Sequence, residues 1–551
     1  MSDPTALVDQ ARAWLADDPD PRTRAELSDL LTAVESGDER ARALLADQFA
    51  GTLQFGTAGL RGPLGPGPNR MNRVVVARAA AGLASYLLAH GHRGAPVVVG
   101  YDARYNSDVF ATDTVAVLAG AGLRPLLLPR PLPTPVLAFA IRRLNCAAGV
   151  MVTASHNPRQ DNGYKVYLGD GSQIVPPVDA EIAAAMSEVS SVARIPRGDS
   201  WTVVGEDVVH DYLDRVASLP ATDPQAFRDL RIVYTPLHGV GGPLVEEALR
   251  RAGFAPPAVV PEQAAPDPGF PTTPFPNPEE PGTLDLALEL GRRTDADVVL
   301  ANDPDADRLA VAVPTEEGFR RLTGDEVGAL LAVHLLNAGA RGTLATTVVS
   351  STLLSSIATA HGVPYTQTLT GFKWLGRVPD LAFAYEEALG YCVDPEAVRD
   401  KDGISALIRM AELVAALKRE GRTLLDLLDD IAREHDLHAT AQHAVWVRDL
   451  SEIDAVLERL RQRPPLALGG REVLRTDDLA EPTDGLPPTV GLRFVLAGRA
   501  RVVIRPSGTE PKLKCYVEVI VPAREDLAAA KRIARDALAA IGADVRELVG
   551  A

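Results

Sequence analysis

Between residues 74 and 213, short apolar runs alternate with longer segments whose apolar positions recur every three or four residues. This spacing predicts helices over 74–89, 109–121 and 134–144 and strands over 97–101, 126–128 and 146–152. Such alternation builds an α/β layer around a largely parallel sheet, and ligands of such sheets bind beyond the carboxyl ends of the strands. The last run ends in Thr153-Ala154-Ser155-His156-Asn157-Pro158. A residue before proline is pushed out of helical geometry, so a turn is expected there and Ser155 is presented at a strand end.

The alternation returns downstream. Strands 231–235 and 297–301 with helices 243–252 and 284–290 predict a second α/β domain, and strand 343–349 with helix 352–360 a third. The proline-rich connection 256–281 reads as extended surface chain. Asn162-Gly163 reads as a hairpin turn, and His238 as a structural histidine in the turn before helix 243–252, with a ligand role as the alternative. Beyond residue 434 the pattern changes to strand 440–446, helix 451–461, a Pro/Gly-rich stretch to residue 488, strands 491–496, 501–505 and 513–521, and helix 524–541. That is a small α+β domain. Residues 1–50 read as two helices broken at Asp18-Pro19-Asp20-Pro21.

Composition narrows the class. A chain of 551 residues suggests three or four domains of roughly 100 to 200 residues each. With 46% hydrophobic and 23% charged residues it reads as a globular protein with ordinary cores. The longest apolar segment, 327–336, is interrupted by His334 and is shorter than the about 20 residues a membrane span needs. The N-terminus lacks a basic-then-apolar signal, so a cytoplasmic location is expected. Cys146, Cys392 and Cys515 are far apart and read as buried thiols. A net charge of −17 argues against nucleic acid or anionic membrane as partner.

Candidate chemistry comes from loops. A Ser-His-Asn cluster by itself often only caps a turn, and no Gly-x-Ser-x-Gly elbow surrounds Ser155. A second loop, Asp303-Pro304-Asp305-Ala306-Asp307-Arg308, follows the apolar run 297–301. Its three carboxylates at i, i+2 and i+4 can converge on one hard cation. An EF-hand would need Gly and Glu at its sixth and twelfth positions, where this chain has Arg308 and Pro314.

Together with Tyr385-Glu386-Glu387-Ala388-Leu389-Gly390-Tyr391 and Arg505-Pro506-Ser507-Gly508-Thr509-Glu510-Pro511, these two loops stand in the order found in the α-D-phosphohexomutases, which the chain resembles from about Phe55 onward. Phe55-Gly56-Thr57-Ala58-Gly59-Leu60-Arg61 and Thr370-Gly371-Phe372-Lys373-Trp374 look most like the phosphoglucomutase-2-like subgroup. The resemblance implies a four-domain architecture: three related α/β domains with mixed sheets and a C-terminal α+β domain like the TATA-box-binding protein. The boundaries would be 1–50 for a helical extension, then 51–214, 215–322, 323–434 and 435–551. It also implies roles. Ser155 would carry the phosphate beside His156, with Arg61 facing it and Lys165 as an acid or base on the sugar hydroxyls. Asp303, Asp305, Asp307 and the Ser155 phosphate would hold one Mg²⁺, with Arg308 pairing with phosphate. Lys373, Glu386 and Glu387 would bind the sugar, and Arg505, Ser507, Gly508 and Thr509 the phosphate not being transferred.

The reaction so implied interconverts sugar 1-phosphates and 6-phosphates, with glucose as leading substrate and mannose or pentose phosphates as alternatives. A sugar 1,6-bisphosphate would be the activator, and the protein a monomer or homodimer. Ala388 stands where hexomutases typically carry serine, which bears on sugar choice rather than on reaction class. Two rivals remain: a metal-dependent phosphatase with Asp303 as nucleophile, and a sugar-phosphate binding protein without turnover.

Overall fold

The computed structural model describes residues 4–56, 59–221, 229–447, 450–482, 485–507 and 512–550. The chain divides into two compact units, one of Met1–Phe319 with Asp394–Ile408, the other of Arg320–Val393 with Arg409–Ala551. Each contains two sheets.

In the first unit the N-terminal extension forms three helices, Pro4–Asp17, Pro21–Glu35 and Glu39–Gln48, where two were expected. The extra break is chemical. The Asp38 carboxylate accepts from the backbone N–H groups of Arg40 and Ala41 and caps a new helix start. Ala11, Leu27, Leu31 and Leu45 from these helices join the core of the first sheet.

The first sheet runs Leu60–Pro63, Asp161–Leu168, Ala148–Val152, Pro96–Tyr101, Arg124–Leu127, Thr202–Val203. Pro96–Tyr101 is parallel to both its neighbours, but Asp161–Leu168 returns antiparallel to Ala148–Val152, and Leu60–Pro63 antiparallel to it. The sheet is therefore mixed. The loop carrying Ser155 makes a tight return instead of a helical crossover. Asn162 and Gly163 are consequently strand residues paired with Gly62 and Arg61, not a hairpin turn. Gly163 is required because a Cβ there would sit 2.5 Å from the Thr153 carbonyl oxygen.

In the second sheet Ile232–Thr235 lies between Val298–Ala301 and Ala258–Val259 and parallel to both, with Ala310–Thr315 antiparallel to Val298–Ala301. The proline-rich segment departs from expectation. It contributes the strand Ala258–Val259 and a short 3₁₀ turn, Pro261–Gln263, and it buries Val260, Gln263, Phe270, Thr273 and Asn277. Gln263 anchors it, bonding through its side chain to Thr235 and Thr272. His238 donates or accepts at Nε2 with Thr272 Oγ1 at 2.7 Å, a structural partner.

The second unit holds a mixed sheet, Tyr365–Thr368, Thr343–Thr347, Leu381–Glu386, Gly390–Cys392, whose last pair is an antiparallel hairpin. Its other sheet has six antiparallel strands in the order Leu437–Trp446, Lys512–Val521, Ala500–Pro506, Leu492–Leu496, Arg471–Asp478, Ala467–Leu468. Leu527–Val549 packs on it and is eight residues longer than expected at its C-terminal end, Val549 against 541. Arg471–Asp478 lies in the Pro/Gly-rich stretch, where no strand is expected because its residues, many of them charged and half of them exposed, show no clean apolar alternation. Among the described residues no helix is long and apolar enough to cross a membrane.

Inside this unit Glu518 is buried and accepts from Arg501 Nε and Ser351 Oγ at 2.7 Å each and from Thr352 N at 2.8 Å. Burial pushes its carboxyl up, but Arg501, His438 and Ser351 outweigh burial and hold it well below the usual value. A depressed folded-state value stabilises the fold above the unfolded value of 4.5, and that contribution disappears as pH falls below it. Glu518→Gln, which leaves the Arg501 guanidinium without its counter-charge, should cost about 3–5 kcal/mol at pH 7 in urea unfolding. The gap to wild type should shrink steadily below pH 4.5. A gap independent of pH would contradict the assigned charge.

Candidate active site

Ser155 lies in the turn that links two antiparallel strands of the first sheet. Its φ of +52° is left-handed, an uncommon conformation for a residue with a side chain. Thr153 Oγ1 accepts from the Ser155 N–H at 2.8 Å, and the Asn157 N–H donates to the Ala154 carbonyl. The turn is thus closed by its own small polar residues. It presents Ser155 Oγ to Asp303 Oδ2 at 2.7 Å, with His156 Nδ1 3.2 Å from the same oxygen.

The aspartate loop follows the strand Val298–Ala301 of the second sheet. Ala306 takes φ +54°, and its N–H bonds the Asp303 carbonyl, which folds alternate residues to one side. Asn302 holds the end of the loop by donating to the Arg308 carbonyl at 2.6 Å and accepting from Tyr234 OH at 2.9 Å. Carboxylate oxygens of Asp303, Asp305 and Asp307 lie within 4.8 Å of one another, all fully buried.

Two counter-charges and one neutral donor face these carboxylates. Lys165 Nζ, on Asp161–Leu168 and fully buried, donates to Asp305 Oδ2 and Asp307 Oδ2 at 2.8 Å each. Thr134, the first residue of Thr134–Arg143, donates its hydroxyl to Asp305 Oδ2 at 2.5 Å and its N–H to the Asp305 carbonyl at 3.0 Å. Lys401 Nζ stands 3.2 Å from Asp307 Oδ2. Burial and Asp305 raise the Asp307 carboxyl, but Lys165, Lys401 and Arg308 outweigh them and leave it below its ordinary value.

Asp305 Oδ1 and Asp307 Oδ1 remain buried without any hydrogen-bond partner. An unsatisfied buried carboxylate oxygen is costly, and two of them beside Asp303 fit a hard divalent cation with oxygen ligands. Around the cluster, Arg61 Nη1 donates to Asn157 Oδ1 at 3.3 Å, and Arg308 Nη1 lies 3.5 Å from Glu279 Oε2. Burial, then Arg308 and Arg61, push the His156 imidazole well below its usual value, so it is neutral near pH 7.

The first unit therefore gathers Ser155, His156, Lys165, Arg61, Asp303, Asp305, Asp307 and Arg308. The other anticipated residues belong to the second unit. Glu386 ends the strand Leu381–Glu386 and Glu387 opens its hairpin. Glu387 accepts from Thr347 Oγ1 at 3.2 Å and Ser350 Oγ at 3.1 Å. Gly324 is obligatory beside it, since a Cβ there would lie 2.0 Å from the Glu387 carbonyl oxygen. Lys373 sits in the single turn Phe372–Leu375. Arg505 pairs with Lys514 across the antiparallel sheet, and the Ser507 N–H bonds the Lys512 carbonyl. Gly508 and Thr509 lie outside the described residues.

Sequence reasoning missed Thr134 and Lys401. Thr134 reads as an ordinary helix start. Lys401 is in Arg399-Asp400-Lys401-Asp402-Gly403, a charge run that looks solvated, although its position directly before the apolar run 404–408 was a usable sign of burial.

Models of the phosphoglucomutase/phosphomannomutase α/β/α domains I, II and III match residues 52–193, 210–318 and 323–435, and the model of the C-terminal domain matches 449–539. The chain belongs to this family. A Haemophilus influenzae protein named "Probable phosphomannomutase" is 48% identical over 81% of the chain and 93% of its own length. A Schizosaccharomyces pombe "Probable phosphoribomutase" is 37% identical over 93% of each. A crystal structure from Thermus thermophilus, provisionally named a phosphomannomutase, superposes with a TM-score of 0.71 at 27% identity, covering 91% of this chain and all of that one. The protein is thus an intramolecular phosphotransferase of the α-D-phosphohexomutase superfamily with four domains.

Removing the Lys165 ammonium leaves two facing carboxylates buried together. Lys165→Met should lower stability by about 3–5 kcal/mol in metal-free buffer, measured by urea unfolding. An unchanged midpoint would mean that Asp305 and Asp307 do not share a fixed counter-charge.

Proposed function

We propose that the protein is a phosphosugar mutase in which Ser155 carries the phosphoryl group in transit. The supporting observation is the position of Ser155 Oγ, aimed from a left-handed turn at a buried triplet of carboxylates and 2.7 Å from Asp303 Oδ2. In the first transfer the bond from phosphorus to Ser155 Oγ breaks and one to a sugar hydroxyl oxygen forms, giving a bisphosphate. In the second, the other phosphate of that bisphosphate moves to Ser155 Oγ. The sugar hydroxyl loses a proton as its bond to phosphorus forms, and the oxygen released later takes one up, so the cycle returns the enzyme unchanged.

Mg²⁺ held by Asp303, Asp305 and Asp307 with a phosphate oxygen on Ser155 would neutralise charge on the transferred group; an all-oxygen donor set suits it. The chain's own residues do the rest. Lys165 holds Asp305 and Asp307 together, and Arg61 and Arg308 offer guanidinium groups for phosphate oxygens. Glu387, fixed by Thr347 and Ser350, and Glu386 accept from sugar hydroxyls, and Lys373 offers them a donor. Arg505, Ser507, Gly508 and Thr509 hold the phosphate that is not moving. A cytoplasmic enzyme activated by a sugar 1,6-bisphosphate completes the reading.

Glucose 1-phosphate is the first substrate to offer. Ala388 lacks the hydroxyl usual in hexomutases, and two relatives are named for mannose and ribose phosphates, so mannose 1-phosphate and ribose 1-phosphate belong in the same assay.

Peptide mass spectrometry should find phosphate on Ser155, and Ser155→Ala should reduce mutase turnover to background. Wild-type mutase turnover in Ser155→Ala would rule out Ser155 as the carrier and point to Asp303, whereas release of phosphate at the wild-type rate without isomerisation would make the protein a phosphatase. Removing Mg²⁺ with a chelator should lower the melting temperature. Restoring it to a hundred times its dissociation constant should recover about 2.7 kcal/mol, an increment that Asp305→Ala should abolish.

A further inference from the structure

We infer that Arg104 is a positioning residue that clamps the Ser155 turn; this rests on the phosphoserine reading above. Arg104 follows the strand Pro96–Tyr101, and its side chain is 2% exposed. Its Nη2 donates to the carbonyls of Ser155 at 2.7 Å and Asn157 at 2.5 Å, and its Nη1 to those of Pro158 at 2.9 Å and Asp161 at 3.1 Å. One guanidinium thus ties together both ends of the turn. No other side chain could do so, because the bonds need a rigid planar fork of donors.

Two further elements fix the fork itself. Asp102 Oδ1 accepts from the Arg104 N–H at 3.0 Å and from Ser107 Oγ at 2.6 Å, and Asp102 Oδ2 lies 3.5 Å from Arg104 Nε. On the other side Phe270, from the proline-rich segment, places its ring centroid 4.9 Å from the guanidinium carbon. The aromatic face attracts the cation and keeps water from the bonds. Ser155 needs such a clamp. Its left-handed backbone is sparsely populated without external support, and a small displacement of its oxygen would misalign phosphoryl transfer. Within the turn Arg104 donates only to backbone carbonyls, so it acts on the reaction through where Ser155 Oγ stands and not through binding of the sugar.

Arg104→Lys keeps the charge and loses the fork. The test compares wild type, Arg104→Lys and Phe270→Leu in three measurements: steady-state kcat and KM for the preferred sugar 1-phosphate, the single-turnover rate at which glucose 1,6-bisphosphate phosphorylates Ser155, and loss of that phosphate to water, the last two by intact mass. For Arg104→Lys we expect kcat and the phosphorylation rate to fall together by about 10- to 100-fold, with KM within about twofold of wild type and a larger share of phosphate lost to water. Phe270→Leu should shift the same quantities in the same direction by less. Should Arg104→Lys fail to fold, Phe270→Leu decides alone. Phosphorylation at the wild-type rate in the folded variants overturns the clamp. So does a fall in kcat/KM carried by KM. Wild-type protein that bisphosphate cannot phosphorylate overturns the phosphoserine reading and the clamp with it, whereas a phosphorylated wild type with equally fast variants overturns the clamp alone.

Discussion

Three aspartates buried within one hydrogen-bonding neighbourhood repel one another and have lost their water, and the first unit is arranged around meeting that cost. Asp303, Asp305 and Asp307 come from a loop of the second sheet. Lys165 comes from a strand of the first sheet, Thr134 from a helix packed on that sheet, and Lys401 from the returning segment Asp394–Ile408. Each of these elements must reach the same point for the buried carboxylates to be paired. The two sheets of this unit are therefore coupled by charge as well as by apolar packing. A serine placed at that junction sits beside a concentrated, adjustable charge, which suits a group that gains and loses phosphate.

The loops that carry chemistry share a backbone device. Ser155, Ala306 and Leu389 all have left-handed φ values of +52°, +54° and +64°, and none is glycine. In each case the chain leaves a strand and must turn within a few residues to keep its side chains at the strand end. The surrounding bonds make the conformation tolerable: the Thr153 hydroxyl at Ser155, the Asp303 carbonyl at Ala306, and the Glu386 to Gly390 pairing around Leu389. Substituents were retained where glycine would be easier, which keeps these turns from relaxing into alternatives.

Much of this was legible in the sequence because the chemistry is local. The Ser155 turn follows an apolar run and precedes Pro158, and the aspartates alternate within six residues, so both sites are visible without tertiary information. What was hidden depends on distant partners. Asn162 and Gly163 look like a turn, but their pairing with Gly62 and Arg61 can be known only once residue 61 is placed beside residue 163. The segment 256–281 looks like exposed chain, yet Gln263 and Phe270 are drawn inward by Thr235 and Arg104. Arg471–Asp478 is hidden because its residues are half-buried or exposed, none fully buried, and carry no apolar alternation. Lys401 looked solvated because its carboxylate partner lies 94 residues earlier, 401 against 307.

The return of Asp394–Ile408 to the first unit also has a meaning for how the chain is made. A ribosome that has released residues up to Arg321 has supplied every strand of the first two sheets but not Asp400, Lys401 or Asp402. Until then Tyr167 and Gln173 lack the Asp400 carboxylate, Tyr212 lacks Asp402, and Asp307 lacks one of its two ammonium groups. The last charges of the Ser155 site therefore arrive only after the first sheet of the second unit has been synthesised. The nascent first unit waits on its own downstream sequence, and no cut at a single peptide bond separates the two units intact.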